Sequence, residues 1–373
     1  MISNSQPWDN LKFDDSGIKE IQRKLFGTLF NTYSFFALYA NIDGFVFNEA
    51  KIKLEKRHEL DAWIISELNT LVLKVTNNLD QYEPTRSARL IQDFVINKLS
   101  NWYVRLSRRR FWKGEYNDDK VSAYQTLYEC LEKVAIIASP ISPFFMDNLF
   151  SDLNSVVKKT DATSVHLADF PKHNPDLINK DLEEKIQLSQ TISTIALSLR
   201  KKEQIRVRQP LKKIMIPIGD QTTKEKVEDV KNIILTEINV KEIEYITGDS
   251  NMLTKKIKPN FKILGPRLGQ NIQIVASTLS KLNNHQIARF EKDGFYKIDG
   301  SIIIQISEVE IVTSDIPGYV VGTQENITVA LDVNISEKLR EEGLAREFIN
   351  RVQACLLYTS PSPRDRTRSR MPS

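Results

Sequence analysis

The most chemically distinctive part of the sequence is the segment 101–113, which reads NWYVRLSRRRFWK. It holds five cations and four aromatic residues and no acid. On a helix, Arg105 and Arg109 lie one turn apart and Arg108 lies beside them. Guanidinium groups bind phosphates in forked pairs and stack on bases, and aromatic rings add stacking surfaces. The segment therefore indicates RNA contact, because splayed RNA bases are recognised by stacking and edge contacts.

A structural interpretation of the same segment stays open. Arginines in the last turn of a helix interact favourably with its C-terminal dipole. Trp102 and Phe111 are large apolar residues that also suit a protein core. From the spacing alone, contact with RNA and a purely structural role are both consistent with these residues.

A second basic run covers residues 200–213 and reads RKKEQIRVRQPLKK, with seven cations and one acid. It lies where the sequence changes character, and its charge suits a groove that follows a phosphate backbone. A solvated linker explains the run equally well. A third patch, at Lys255, Lys256 and Lys258, is interpreted as a solvated surface.

Catalytic and metal-binding patterns are missing from the sequence. The four histidines are scattered, and no metal-ligand spacing, phosphate-binding glycine loop, nucleophile elbow or dinucleotide-binding motif occurs. The adjacent acids Asp14-Asp15 and Asp118-Asp119 are better explained as helix caps or solvated residues than as a general acid–base pair. We therefore predict no self-contained active site, no catalytic residue and no metal-binding residue.

Composition excludes several classes of protein. With 373 residues, 41% hydrophobic and 27% charged, the chain can form two or three domains and is neither disordered nor a disulfide scaffold. Its two cysteines, the lack of an apolar run of about 18 residues and the lack of a signal peptide predict a cytoplasmic protein without a membrane span. Residues 354–373 contribute +3 of the net charge of +4, so the rest of the chain is nearly neutral.

The elements that position the basic segments follow from apolar periodicity. Apolar residues three and four apart predict helices over about 18–39, 60–79, 85–106, 120–138, 144–149 and 182–199. Long amphipathic helices joined by short turns predict an antiparallel bundle. Near residue 205 the pattern changes. Strands are expected over 214–218, 240–246, 301–306 and 327–331, and helices over 223–236 and 337–352. The second half therefore predicts a mixed α/β or α+β domain.

Several strings of residues resemble a known family. They are PWDNL at 7–11, YANIDGF at 39–45, LDAWI at 60–64, YEPTR at 82–86, NWYVR at 101–105, RRRFW at 108–112, YQTLYE at 124–129, RVRQPL at 206–211 and LREEGLARE at 339–347. In this order, over about residues 5–353, the chain is similar to the C-terminal third of isoleucyl-tRNA synthetases, which are class I aminoacyl-tRNA synthetases. The alternatives are the equivalent part of valyl-tRNA synthetase and a helical protein-interaction module.

The resemblance implies both a fold and a function. In this family a helical bundle binds the anticodon stem-loop of isoleucine tRNA, and the remaining C-terminal domain extends that contact. The full enzyme attaches isoleucine to the tRNA with ATP and Mg, and a separate editing domain removes mischarged valine. At matching positions, the resemblance assigns tRNA contact to Asn101, Trp102, Arg105, Arg108, Arg109, Arg110, Trp112 and Lys113, and secondarily to Lys201, Arg206 and Arg208.

The departures from the family limit what this chain is expected to do. The HIGH and KMSKS motifs, the nucleotide-binding fold and the editing domain of the family are absent. We therefore expect a fragment in which Met1 is an internal residue of a longer protein. It should be monomeric, bind no cofactor, touch no membrane and not aminoacylate alone. Its expected partners are isoleucine tRNA and the missing catalytic and editing domains.

The predicted fold class is mainly α, with an antiparallel helical bundle of the class I anticodon-binding type followed by a smaller mixed domain. Its expected parts are the end of a connection from the catalytic domain at 1–15, the bundle at 16–203, the mixed domain at 204–353 and a non-native or disordered tail at 354–373.

Overall fold

The computed structural model describes residues 15–113, 115–218, 221–247, 255–269, 272–280, 282, 284–298, 302–313, 318–324 and 327–359. The chain forms two compact units that divide between Glu184 and Lys185. This division falls inside the helix Lys180–Lys202, ahead of the boundary predicted at 203/204. The first unit is helical and the second combines helices with small sheets, which confirms the predicted fold class.

The helices of the first unit follow the predicted order. They are α1 (Asp15–Ile21), α2 (Gly27–Asp43), α3 (Glu59–Asp80), α4 (Pro84–Asp93), α5 (Arg105–Trp112), α6 (Asp118–Ala138), α7 (Pro143–Val157) and the start of α8 (Lys180–Lys202). π-helical turns at Gln22–Phe26 connect α1 to α2, and π-helical turns at Phe94–Val104 connect α4 to α5. The basic segment therefore ends one continuous helical rod that begins at Pro84.

Local chemistry sets the ends of these helices. Gly44 closes α2 with φ of +70°, a left-handed conformation that costs glycine little. Pro84 occupies the first turn of α4, where its missing N–H has no helical acceptor. Asn117 caps α6 by accepting a hydrogen bond from the backbone N–H of Lys120. Helix α7 extends past the predicted 144–149, because its buried face continues to Leu153.

The core of the first unit lies around α3 and α6, both of which bury residues on most of their turns. Trp63 and Leu68 of α3 are fully buried, as are Tyr124 and Leu127 of α6. Such burial holds the helices in place through the hydrophobic effect, at roughly 1.5–3 kcal/mol for each large apolar side chain. The two helices therefore form the scaffold on which α5 rests.

The second unit contains a four-stranded sheet. Its strands are β1 (Leu211–Ile218), β2 (Val240–Thr247), β7 (Tyr319–Gln324) and β8 (Ile327–Asp332), in the order β2-β1-β8-β7. Strands β1 and β2 are parallel, so a crossover of two helices, α9 (Gln221–Asp229) and α10 (Lys231–Ile238), joins them. Both other pairings are antiparallel.

Helix α8 approaches this sheet closely at Gly322. A β-carbon added to Gly322 would lie 2.9 Å from Cγ2 of Ile195 and 3.2 Å from Cδ2 of Leu199. Only glycine permits such an approach of helix to strand without displacing either side chain. This contact places the end of α8, which carries the second basic run, against the sheet.

A separate small core lies within residues 255–313. It joins the hairpin of β4 (Phe295–Ile298) and β5 (Ile302–Gln305) and the pair of β3 (Lys255–Pro259) and β6 (Val309–Thr313) to three helices, α11 (Phe261–Leu268), α12 (Ile272–Ser280) and α13 (Asn284–Asp293). Leu264, Val275, Leu279 and Phe290 are buried in it. Apart from the strand at 301–306, of which Ile302–Gln305 is observed, this part was not predicted from the sequence.

Three further predictions need correction or lie outside the described residues. The helix predicted over 223–236 is broken near Val230 into α9 and α10. The last helix, α14 (Glu337–Thr359), continues past the predicted end at 352 and includes the first residues of the predicted tail. Alanine and leucine at 354–357 favour this continuation because they have high helix propensity. The remaining tail, 360–373, and the predicted connection over 1–14 lie outside the described residues.

Candidate nucleic-acid interface

Helix α5 presents an exposed cationic face and a buried anchoring face. Arg105, Arg108 and Arg109 are exposed, and Trp112 at the end of the helix is 53% exposed. Asn101, one turn earlier, is also exposed, as is Lys113 directly after the helix. The periodicity of the helix therefore brings six of the predicted contact residues to the surface of one rod.

Phe111 anchors the opposite face of α5. It is fully buried, and its ring lies 5.2 Å from the ring of Phe35 and 5.2 Å from the ring of Tyr124, both edge to face. Such aromatic pairs add about 0.5–1.5 kcal/mol each to the energy of burial. Phe111 thus fixes the rotation of α5 and keeps its arginines turned outward.

Two of the exposed arginines lie over aromatic rings. The Cζ atom of Arg105 lies 5.7 Å from the centroid of the Trp102 ring, and that of Arg108 lies 5.7 Å from the centroid of the Phe35 ring. The Nε of Arg105 also donates to the carbonyl oxygen of Asn101 at 2.7 Å. These contacts restrain both side chains and lower the entropy lost when their guanidinium groups bind a ligand.

Arg110 has a different environment from its neighbours. Its Nη1 donates to Oδ1 of Asp61 at 2.9 Å and its Nη2 to Oδ2 of Asp61 at 2.7 Å, a bidentate pair in which Asp61 is fully buried. Asp119 and the hydroxyl of Ser122 also accept hydrogen bonds from Arg110. Burial lowers the pKa of Arg110, but the hydrogen bonds to Asp61 and the negative charge of Asp61 raise that pKa overall. Arg110 therefore neutralises a buried carboxylate.

Tyr103 completes this buried network. Its hydroxyl donates to Oδ1 of Asp61 at 2.6 Å, and burial followed by the nearby charge of Asp61 raises the pKa of Tyr103. The phenol stays protonated at neutral pH and remains a donor. Trp102 is also buried, with 6% exposure, and its Nε1 has no hydrogen-bond partner within the described ranges. Of the predicted contact residues, Trp102 and Arg110 are thus placed in the interior.

The second basic run lies in the second unit. Its first residue, Arg200, donates hydrogen bonds to backbone oxygen atoms of the same unit. Arg200 is 1% exposed, and its guanidinium donates to the carbonyl oxygens of Gln209 at 2.9 Å, Asn239 at 2.9 Å and Arg206 at 3.2 Å. Burial lowers the pKa of Arg200 to about 10, so the group is charged at neutral pH. Among the residues that the structure describes, no carboxylate joins these acceptors, and Nε of Arg200 lacks a partner.

The predicted contact residues of this run are exposed. Lys201 lies in the last turn of α8, and Arg206 and Arg208 follow the helix. Nη1 of Arg206 lies 3.0 Å from Oε1 of Glu347, and Nη1 of Arg208 lies 3.4 Å from Oε2 of Glu347. One carboxylate therefore offsets part of the charge of two arginines.

Asp61 is the functional residue that sequence reasoning missed. Its signal was present: an acid stands between Leu60 and Ile64, within an otherwise apolar stripe of the helix α3. An acid at such a position requires a buried cation or strong donors, since an unpaired buried charge is very costly. The sequence does not say which of the arginines at 105, 108, 109 and 110 pairs with it.

The described part of the chain has neither a metal-binding cluster nor a membrane-spanning helix. In the described part of the chain, no group of three or more His, Cys, Asp or Glu side chains is arranged to hold a metal ion. Among the described helices, none combines the length and apolar character that crossing a membrane requires.

Comparison with known proteins identifies this helical region. Residues 61–216 match the family described as the anticodon-binding domain of tRNA ligases. The chain contains a tRNA-ligase anticodon-binding domain. The matched range runs from the first turn of α3 into the first strand, and includes Asp61, all of α5 and both basic runs.

The whole chain is also similar to proteins named isoleucine–tRNA ligase. The chain is 50% identical over 356 residues to the isoleucine–tRNA ligase of Bacteroides thetaiotaomicron and 52% identical to that of Cytophaga hutchinsonii, in each case over 95% of this chain. It covers 31% and 32% of those proteins, in their C-terminal part. The chain therefore spans less than a third of the length of these relatives, and the predicted resemblance is confirmed.

Proposed function

We propose that this chain binds the anticodon stem-loop of isoleucine tRNA through the exposed cationic face of α5. The observation that carries the proposal is the orientation of that helix within an anticodon-binding domain. Phe111 and Arg110 face the interior, while Arg105, Arg108 and Arg109 face the solvent. A row of arginines on one helical face suits a phosphate backbone, whose contacts position a nucleic acid.

The predicted site residues divide into two roles under this proposal. Asn101, Arg105, Arg108, Arg109, Trp112 and Lys113 contact tRNA, with Trp112 offering a ring for stacking on an unpaired base. Trp102 and Arg110 instead stabilise the position of the helix. The ring of Trp102 lies under the guanidinium group of Arg105, and Arg110 joins α5 to α3 by pairing with Asp61.

The second basic run contributes a smaller surface for phosphate contact. Lys201, Arg206 and Arg208 are exposed and form that surface in the second unit. Because Glu347 pairs with both arginines, the net charge of this group of four residues is +2. We assign these residues secondary contacts.

The isoleucine identity of the tRNA is proposed from the names of the relatives. In the same proposal, the chain is the tRNA-binding part of an ATP-dependent aminoacylating enzyme and supplies no catalytic residue. It works as a monomer joined to catalytic and editing regions.

Electrophoretic mobility shift with isoleucine tRNA and with a tRNA of different anticodon, each at two salt concentrations, tests the proposal. Arg105→Gln and Arg109→Gln should each weaken binding and reduce the salt slope by about one unit. Arg86→Gln is a matched control, because Arg86 is exposed on the same helical rod. Unchanged binding in both test variants would exclude the α5 face. A folded chain that binds no tRNA would favour the protein-interaction module instead.

A further inference from the structure

The first unit exposes a group of large apolar side chains at the beginning of α7. Phe144 is 88% exposed, and Leu167 and Phe170, in the segment that follows α7, are 71% and 38% exposed. We call these three residues the α7 corner. Single exposed apolar residues are common on protein surfaces, but neighbouring ones usually mark a surface that another surface covers. None of the tRNA contacts proposed above uses this corner.

Asp147 fixes the two parts of the corner to each other. Its Oδ1 accepts hydrogen bonds from the hydroxyl of Ser164 and from the backbone N–H of Val165, both at 2.8 Å. Phe144 and Asp147 are three residues apart on α7 and therefore lie on the same side of the helix. Val165 is buried, so the short turn that it begins is anchored while Leu167 stays exposed. The corner is thus a preformed surface, which lowers the entropy lost on binding.

The charge around the corner disfavours RNA as its partner. Neither α7 nor the segment 160–171 contains a lysine or an arginine. Asp147 lies between the two parts of the corner, and the exposed Asp169 lies between Leu167 and Phe170 in sequence. Carboxylates repel phosphate groups, and a nucleic-acid surface needs cations to neutralise them. We therefore expect the corner to be covered by an apolar protein surface.

The position of the corner indicates which polypeptide covers it. The ring of Phe26 lies 5.0 Å from the ring of Phe145, the residue next to Phe144. In the described structure, no residue of α1, which leads into this contact, is buried. The longer relatives match this chain with their C-terminal part and over less than a third of their length, so most of their sequence precedes it. That preceding region enters the first unit beside the corner.

We propose that the α7 corner is the surface against which the region preceding the matched part of the longer relatives packs. The partner surface is apolar and buries Phe144 and Leu167 through the hydrophobic effect. Such packing holds the cationic face of α5 at a fixed position relative to that region, whereas a linker alone would leave the two free to move. This inference rests on the proposed function, because it takes the chain to be part of a longer aminoacylating enzyme.

Thiol labelling in a full-length chimera tests the proposal. In the chimera, this chain replaces the matched C-terminal part of the Bacteroides thetaiotaomicron ligase. The thiol introduced by Leu167→Cys should react with iodoacetamide about tenfold more slowly in the chimera than in this chain alone, because buried thiols are inert. Val156→Cys, at an exposed position near the other end of α7, is the matched control and should react equally in both. Peptide mass spectrometry assigns each labelled site.

Removing the apolar side chains separates this proposal from the tRNA site on α5. Phe144→Ser with Leu167→Ser should lower the aminoacylation rate of the chimera about tenfold, since reacting groups that are misplaced react slowly. In this chain alone, the same double substitution should leave the mobility shift with isoleucine tRNA and the urea midpoint unchanged. Val156→Ser is the control and should change none of these quantities.

Each other outcome assigns the corner differently. Equal labelling of the Leu167→Cys thiol in the chimera and in the chain alone would show that the corner stays exposed, and the proposal would be wrong. Loss of tRNA binding by the double variant would assign the corner to tRNA, and labelling of the chain alone that slows as its concentration rises would assign it to a second copy. An inactive wild-type chimera would contradict the proposed function on which the inference rests. If the chimera protects the thiol but the wild-type chain binds no tRNA, the corner stands and the α5 site is wrong.

Discussion

Arg110 of the first unit and Arg200 of the second unit are both withdrawn from solvent in arginine-rich segments, but their partners differ. Arg110 meets a fully buried carboxylate in a bidentate pair. The partners of Arg200 in the described residues are backbone carbonyl oxygens, contributed by Arg206, Gln209 and Asn239. The first arrangement cancels two charges and raises the pKa of Arg110, whereas the second retains one charge and lowers the pKa of Arg200.

The comparison shows what each arginine fixes. Arg110 joins α5 to α3, so it holds the helix that presents the proposed tRNA contacts. Arg200 holds the irregular segment between α8 and β1, because two of its three acceptors belong to that segment. In both basic segments, one arginine is buried and has a structural role, while the adjacent basic residues Arg109 and Lys201 remain exposed.

The largest effect is expected from Arg110→Met. The substitution leaves Asp61 buried and charged without its main partner, so the free energy of unfolding should fall by about 3–5 kcal/mol. Urea unfolding followed by circular dichroism measures this loss. Arg109→Met is the matched control and should change stability by less than about 0.5 kcal/mol. A small effect of Arg110→Met would show that Asp61 is adequately satisfied by Tyr103 and Ser122.

Arg200→Met should have a smaller effect, a loss of about 1–3 kcal/mol. The substitution removes three hydrogen bonds, so three backbone carbonyl oxygens must be hydrated instead. No unpaired charge is left buried, because the arginine itself is removed. The same urea measurement applies, with exposed Lys201→Met as control. If Arg200→Met destabilised the protein more than Arg110→Met, the contrast drawn between carboxylate and carbonyl partners would fail.

Glu183, like Asp61, is a buried carboxylate, but its hydrogen-bond donors are a lysine and two hydroxyl groups instead of an arginine. Burial raises its pKa, but hydrogen bonds from Lys180, Ser66 and Thr70 lower it overall. A carboxyl with a folded-state pKa below its unfolded value stabilises the protein above the unfolded pKa, and this contribution is lost as pH falls through the folded value.

Glu183→Gln should therefore cost about 1–2 kcal/mol at pH 7 and less as pH falls below the unfolded glutamate pKa of about 4.3. Urea midpoints at pH 7 and pH 4 measure the difference. Glu184→Gln, at the exposed neighbouring acid, should change neither midpoint appreciably. Equal losses for Glu183→Gln at both pH values would contradict the assigned shift in pKa.

The smallest effect is expected from Glu347→Gln. Its pairs with Arg206 and Arg208 are exposed, and such pairs contribute little to stability, so the urea midpoint should not change. The charge of the second basic surface would rise by one, and the affinity for tRNA should increase by less than about fivefold at low salt. Weaker binding would indicate that Glu347 positions the two arginines for contact.

Sequence patterns predicted most of the first unit because its helices combine clear apolar periodicity with local end signals. Pro84, Asn117 and Gly44 lie at the ends of the observed helices. The region 255–313 was largely missed, because its elements are short and its strands pair over long separations, as Lys255 with Thr313 shows. Local periodicity contains no information about such pairing.

The candidate interface could be predicted in part. The string RRRFW singled out the cationic segment, and helical spacing placed Arg105 and Arg109 on one face. The contact roles themselves stay a prediction. Spacing could not separate Arg110 from Arg109, because both fit the last turn of the same helix and differ only in which one faces Asp61, 49 positions away in sequence.

The sequence by itself determined the helical character of the first half, the location of its basic segments and the similarity to isoleucyl-tRNA synthetases, since these depend on local spacing and on strings of adjacent residues. The tertiary structure decided which cations are available for a ligand. It buried Arg110 on Asp61 and Arg200 on carbonyl oxygens. The physical reason is that burial and pairing join residues distant in sequence, whereas propensity and periodicity act only among neighbours.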